Sequence, residues 1–250
     1  MAGHSKWANI KHRKGRQDAK RSKLWSKCSR AIIAAAKAGG PDPAANLTLR
    51  YAIDEAKSQN MPKDTIEKAI AKGAGGGDGD DYEEIVYEGY GPAGVAVLLE
   101  ILTDNRNRTA PEIRKIFEKA GGSLGASNSV AFQFERKGEI YLEANAATED
   151  QLMELALEAG AEDIESSDQG HRVIAEPTDF LAVREALENA GLPLASAKIA
   201  MIPTTPTAVS GGGDAEKLLR FLDDLEDHDD VQAVHHNADI PEEELERLGA

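Results

Sequence analysis

The sequence predicts an α+β protein of several domains: an N-terminal helical domain followed by two small α/β units, one inserted in the other. Three observations carry that expectation. Apolar residues recur at helical spacing up to about residue 72 and alternate in short runs beyond it. The run "GAGGGDGDD" (73–81) separates the two regimes, and glycine on that scale reads as a linker. Beyond the linker, alternating and helical segments interleave in the order expected of sheets covered by helices.

Taken in order, Leu24, Trp25, Cys28, Ile32 and Ala35 mark a helix from about Gln17 to Lys37, ended by Gly39 and Gly40. A second helix is expected from Pro43 to Ser58, with Leu49, Ala52, Ile53 and Ala56 on one face. "NMPKDTIEKAIAKG" gives a third, with Pro62 in its first turn and Gly73 at its end. "EEIVYEGY" and "GVAVLLEIL" read as strands joined by "GPAG", "TAPEIRKIFEKAG" as a helix with Ile113, Ile116 and Phe117 inward, and "SVAFQFER" as a strand. Then "GEIYLEA", "TEDQLMELALEAG", "DIESSD", "HRVIAEP", "TDFLAVREALENAG" and "SAKIAMIP" spell βαββαβ, the ferredoxin-like order. "DAEKLLRFLDDLEDHDD" adds a helix and "VQAVHHNAD" a strand, completing a second four-stranded, two-helix unit around the insert. The expected boundaries are 1–78 for the basic helical domain with its arm and linker, 79–137 with 204–250 for the interrupted α/β domain, and 138–203 for the inserted ferredoxin-like one.

Charge is partitioned along the chain. Of 29 Lys and Arg and 44 Asp and Glu, residues 1–37 hold eleven bases and one acid, Asp18, a net of +10. The remaining 18 bases and 43 acids give residues 38–250 a net of −25. A body so acidic repels nucleic acid unless contact is confined to the head, and screening over about 8 Å makes that segregation workable. A single cysteine excludes an intramolecular disulfide framework and a Cys-rich zinc site, and fits a reducing, cytoplasmic setting. No stretch approaches the roughly 18 apolar residues of a membrane span, and the head lacks the apolar core of a secretory signal.

Within the head, cations alternate with flat and apolar groups: Lys6, Lys11, His12, Arg13, Lys14, Arg16, Lys20, Arg21, Lys23, Lys27 and Arg30 lie among Trp7, Ile10 and Trp25. Cations neutralise phosphates and rings stack on unpaired bases, so these cations with Trp7 form the candidate nucleic-acid-binding set. The competing reading is a solvated charged tail, and Trp25 falls on the apolar face of the first helix. Gly15 suits a hinge, which makes residues 1–14 an arm. Arg106 and Arg108 in "TDNRNRTAPE" are second candidates, beside a helix N-terminus that attracts anions; against this, Asp104, Asn105 and Thr109 are ordinary turn and cap residues. "GGSLGASN" lacks the ending and the strand–helix order of a phosphate loop. His228, His235 and His236 lie near "DDLEDHDD" without a recognised ligand spacing, and no hydrolase, zinc-protease or dinucleotide motif occurs.

"MAGHSKWANIKHRKGRQDAKRSKLWSK" resembles the opening of the YebC/PmpR family, which includes mitochondrial translational activators of cytochrome oxidase subunit synthesis. The likeness runs on through "NMPKDTIEKAI", "YEGYGPAGVAVLLEILTDNRNRTA", "GGSLGASNSVAFQFERKG" and "LEDHDDVQAV". It implies a helical N-terminal domain with two α/β domains. It also implies one of two roles, a probable DNA-binding transcriptional regulator or a translation factor on the ribosome. After "DDVQAV" the family often has Tyr and later Phe, whereas this chain reads "HHNAD", so no role is carried over to His235 or His236. The expectation is a non-enzymatic regulator that binds nucleic acid, DNA or ribosomal RNA, through residues 1–30. It has no metal, cofactor, small-molecule substrate or membrane partner. The alternatives are a ribosome-associated translation factor and an acidic protein-binding adaptor.

Overall fold

The computed structural model describes residues 21–75, 81–209 and 211–248. The whole of the arm, its Gly15 hinge and the centre of the glycine-rich run are outside the described residues. Those described form two compact units: 21–131 with 213–236, and 132–212 with 237–248.

The first unit opens with three helices, α1 (Arg21–Gly39), α2 (Leu47–Ser58) and α3 (Lys63–Ala74). Their apolar faces meet in a core of Cys28, Ile32, Ile33, Ala36, Leu49, Ile53, Ala56, Met61, Ile66 and Ala69. The expected start of α2 at Pro43 moves to Leu47, because Asn46 takes the cap. Its Oδ1 accepts from Leu49 N, while its Nδ2 donates to Ala35 O and Gly40 O at the end of α1. One buried amide thus closes two helix ends. Trp25 Nε1 donates to Gln59 O at the end of α2, so this ring is part of the helical core's rim.

The rest of this unit is an antiparallel sheet in the order β3–β1–β2–β9, made from β1 (Glu83–Tyr90), β2 (Ala96–Thr103), β3 (Ser123–Leu124) and β9 (Val231–His236). β1 and β2 pair from Glu83 opposite Thr103 to Tyr90 opposite Ala96. Helices α4 (Arg106–Lys119) and α7 (Gly212–Glu226) meet through Phe117 and Phe221, both buried and edge to face at 4.9 Å. Thr109 joins Ile113 and Phe117 on the buried stripe of α4, whereas Ile116, expected inward, is half-buried.

The second unit contains β4 (Phe134–Glu143), α5 (Glu149–Glu158), β5 (Ala161–Ser167), β6 (Gly170–Ala175), α6 (Phe180–Asn189) and β7 (Leu194–Pro203). The sheet order β5–β6–β4–β7 is that of a ferredoxin-like βαββαβ unit. Ile140, Leu142, Leu152, Ala156, Val173, Phe180, Val183 and Leu187 are among its fully buried side chains. Short strands β8 (Thr207–Ala208) and β10 (Ala238–Asp239) pair in parallel, and α8 (Glu242–Arg247) follows. The fold class is therefore α+β with N-terminal helices and two helix-covered antiparallel sheets.

Two expected strands are corrected. "SVAFQFER" is not a strand of the first sheet: residues 131–133 form a 3-10 turn, and β4 runs unbroken from Phe134 into "GEIYLE". The amides of Asn128, Val130 and Ala131 cannot join a ladder because they donate to the Glu88 carboxylate at 2.7–2.8 Å. "VQAVHHNAD" divides at Asn237, whose buried Nδ2 donates to Gln133 Oε1 and Thr205 O, sending β10 to a different sheet from β9.

A Cβ at Gly73 would lie 2.5 Å from Ile33 O and 2.8 Å from Ala36 Cβ, so α3 crosses α1 at backbone contact. Gly73→Ala is expected to destabilise the protein by about 1–3 kcal/mol through overpacking, despite the ~1 kcal/mol that alanine gains in a helix. A lowered urea midpoint checks it; an unchanged midpoint would mean the crossing is looser than described.

Candidate nucleic-acid interface

Lys6, Trp7, Lys11, His12, Arg13, Lys14, Arg16 and Lys20 lie outside the described residues, and Arg21 opens α1. Lys23, Lys27 and Arg30 fall on one face of α1 by their spacing of four and three. That face meets the acidic segment after α7. Lys23 Nζ donates to Asp227 O at 3.1 Å, Lys27 Nζ to Glu226 O at 2.5 Å, and Arg30 Nη1 to Asp230 Oδ1 at 2.9 Å. Burial drives the Lys27 ammonium down to a pKa of about 8, although the Glu226 charge opposes the shift.

Asp230 is the centre of this arrangement. Its side chain is 5% exposed. Oδ1 takes the Arg30 guanidinium, and Oδ2 takes Arg108 Nη2 at 2.8 Å, Thr109 Oγ1 at 2.7 Å and Thr103 Oγ1 at 3.1 Å. Its backbone is also engaged: N donates to His228 Nδ1 and O accepts from Leu102 N. Burial alone would raise the carboxyl's pKa. The hydrogen bonds from Arg108 and Thr109, with the Arg108 charge, outweigh that and hold it below the usual carboxylate range. Because His228 Nδ1 accepts from the Asp230 amide, the neutral ring carries its proton on Nε2, directed at Glu112 Oε2 3.0 Å away.

The second predicted pair therefore separates. Arg108 is held between Asp104 and Asp230. Arg106 is exposed, and its guanidinium lies 3.7 Å from Glu83. Asn105 caps α4 by accepting from Arg108 N, which is the capped-junction reading of "TDNRNRTAPE". In the "GGSLGASN" segment, the anion on the loop amides is the chain's own Glu88, 5% exposed, with its pKa held down by the backbone N–H groups against the effect of burial. His235 Nε2 lies 3.1 Å from Glu100 Oε1 across β2 and β9, and among the described residues no three His, Cys, Asp or Glu converge as a metal site. No described helix is long and apolar enough to cross a membrane.

Sequence reasoning missed Asp230 and Thr103. Asp230 stands in an acid run that reads as a solvated helix end, and its partners lie 200, 127, 122 and 121 positions away. The one available signal is complementarity: a run of acids before a strand, and three cations at helical spacing elsewhere.

Replacing Asp230 by Asn leaves Arg30 and two buried hydroxyls around a neutral amide, with an expected loss of about 3–5 kcal/mol. The native carboxyl titrates below its unfolded value of about 3.9. Its contribution is therefore complete above that value and fades as pH falls through the native pKa. The stability gap between parent and Asp230→Asn should stay constant above about pH 5 and shrink below about pH 4. A gap independent of pH down to 2 would contradict this account.

Residues 82–238 match the family described as TACO1/YebC second and third domain, and residues 5–76 match the TACO1/YebC protein N-terminal domain. A protein of Trichlorobacter lovleyi is 54% identical over 248 residues, covering 99% of this chain and 100% of its own. One of Pseudomonas syringae pv. tomato is 54% identical over 250 residues, covering 100% of both chains. Both are named probable transcriptional regulatory protein. The crystal structure of a conserved hypothetical protein from Aquifex aeolicus superposes with a TM-score of 0.80 at 46% identity, covering 90% of this chain and 93% of its own. With both family regions matched and relatives above half identity over full length, this chain belongs to the TACO1/YebC family.

Proposed function

We propose that the chain is a non-enzymatic, nucleic-acid-binding regulator of gene expression, working in the cytoplasm, and that its electrostatic contact is the head, residues 1–30. The observation that carries this is the charge partition, +10 over residues 1–37 against −25 over the rest. Body cations support it from the other side. Arg108, Lys137, Arg172 and Arg220 all sit in ion pairs with the body's own acids, and the net charge of the body repels phosphates. The names borne by the relatives, probable transcriptional regulatory protein, fit the same reading.

Duplex reading by a docked helix is the less favoured mode. The exposed face of α3 mixes Lys63, Lys68 and Lys72 with Asp64 and Glu67, and Lys63 lies 3.6 Å from Glu67. An arm carrying Trp7 suits irregular or single-stranded targets better.

If about six cations of the head meet phosphates, log affinity should fall against log salt with a slope near −4 to −5. Replacing Lys11, Arg13 and Lys14 with Ala should make it shallower by up to about three. Trp7→Ala should cost ~1–3 kcal/mol at every salt concentration and leave the slope unchanged, with a larger effect on single strands than on duplex. Binding isotherms of the three proteins across a salt series decide it. A parent slope near zero would remove the head from the mechanism.

A further inference from the structure

The cations of α1 that follow the arm are met by the chain's own acids, in two different ways. Arg30 is locked: its partner Asp230 is buried and shares its carboxylate with Arg108 and Thr109. Lys23 and Lys27 are not locked. They donate to the backbone carbonyls of Asp227 and Glu226 rather than to carboxylates, and Lys23 is exposed.

Those carbonyls stand at the C-terminal end of α7, the negative pole of the helix, where cations are favoured and acids are not. Yet α7 ends with Asp223, Asp224 and Glu226, has no base in its last turn, and is followed by Asp227 and Asp229. The positive charge that this end lacks comes from α1. The direct contacts of the two lysines are to carbonyl oxygens, and the charges of Glu226, Asp227 and Asp229 act on Lys27 across space. A Lys–carbonyl contact is weaker than a Lys–phosphate pair. Beside it Lys23 lines a cleft of about 850 Å³ that it shares with Asp104, Glu112, Asp227, Asp229 and Asp230, so acids screen the lysine from an anionic strand until they are displaced.

We propose that residues 226–229 act as an internal competitor for nucleic acid on α1. The segment holds Lys23 and Lys27 in the free protein and yields them to the phosphates of a strand that enters along the arm, while Arg30 stays on Asp230. The inference rests on the reading of the head as the nucleic-acid contact and adds a masked extension to it. Its consequence is selectivity. A ligand too short or too weak to displace the acids meets the arm alone, and a ligand long enough gains two further cations.

The test uses the full chain and a fluorescein-labelled oligouridylate. Asp227→Asn with Asp229→Asn should tighten binding by roughly tenfold at low salt and steepen the salt slope by up to about two, the share of two released lysines. A melting midpoint unchanged from the parent shows that the fold tolerates them. Glu154→Gln with Glu158→Gln, on exposed positions of α5, changes the net charge equally and should do much less. In a Lys23→Ala, Lys27→Ala background the Asp227 and Asp229 changes should give no more than that control. A gain equal to the control, or one that survives loss of both lysines, would overturn the competitor while leaving the head as the contact. No binding by the parent at any salt would overturn both.

Discussion

Asp230 sits where three stretches of chain meet: the middle of α1, the turn from β2 into α4, and the entry to β9. The first two bring donors, Arg30 from α1 and Thr103, Arg108 and Thr109 from the turn, and the third brings the carboxylate. The Arg30 guanidinium is 17% exposed and the hydroxyls of Thr103 and Thr109 are fully buried. Without a carboxylate at that point, the partly buried Arg30 guanidinium and two buried hydroxyls would face one another with no anion among them. The helical domain and the first sheet are built from separate sequence regions with separate apolar cores. This ion pair and its hydrogen bonds tie the two together at a defined orientation, where burial alone would leave them free to slide.

The same device recurs. Glu88 on β1 gathers three loop amides, and this organises the turn that leads into β4. Glu139 on β4 accepts from Arg172 Nε at 2.7 Å and Tyr141 Oη at 2.8 Å, while Arg172 also reaches Glu165 at 3.0 Å. Burial would raise the Glu139 pKa, and the charges of Arg172 and Lys198 reverse that; the Tyr141 hydroxyl is pushed up by burial and by the Glu139 charge. A body with a large acidic excess thus uses some of its carboxylates as internal fasteners. The remainder give the body its negative field.

What was legible in the sequence followed from local rules. The βαββαβ insert declared itself through alternation and helical spacing, and the helices of the N-terminal domain through their apolar stripes and glycine ends. The boundaries that moved did so for side-chain reasons no period reveals. Asn46 claimed a cap, Glu88 drew three amides out of a segment that alternates like a strand, and Asn237 split a strand in two. The carboxylate node was illegible for a different reason. Asp230, Arg30 and Arg108 look like surface charges when read locally, and only the tertiary fold makes them partners. Two cations nominated for phosphate, Arg30 and Arg108, are consequently engaged with a carboxylate.

That the helices and the first sheet act as one cooperative body is the central claim, and native-state hydrogen exchange tests it most directly. The amides of Ile32 and Ile33 in α1 and those of Leu99 and Ile101 in β2 lie in separate cores joined through Asp230. If the node fastens them, both sets should open with the same free energy and the same denaturant dependence. Exchange of the α1 amides through a smaller, denaturant-insensitive opening, with β2 still protected, would contradict the account.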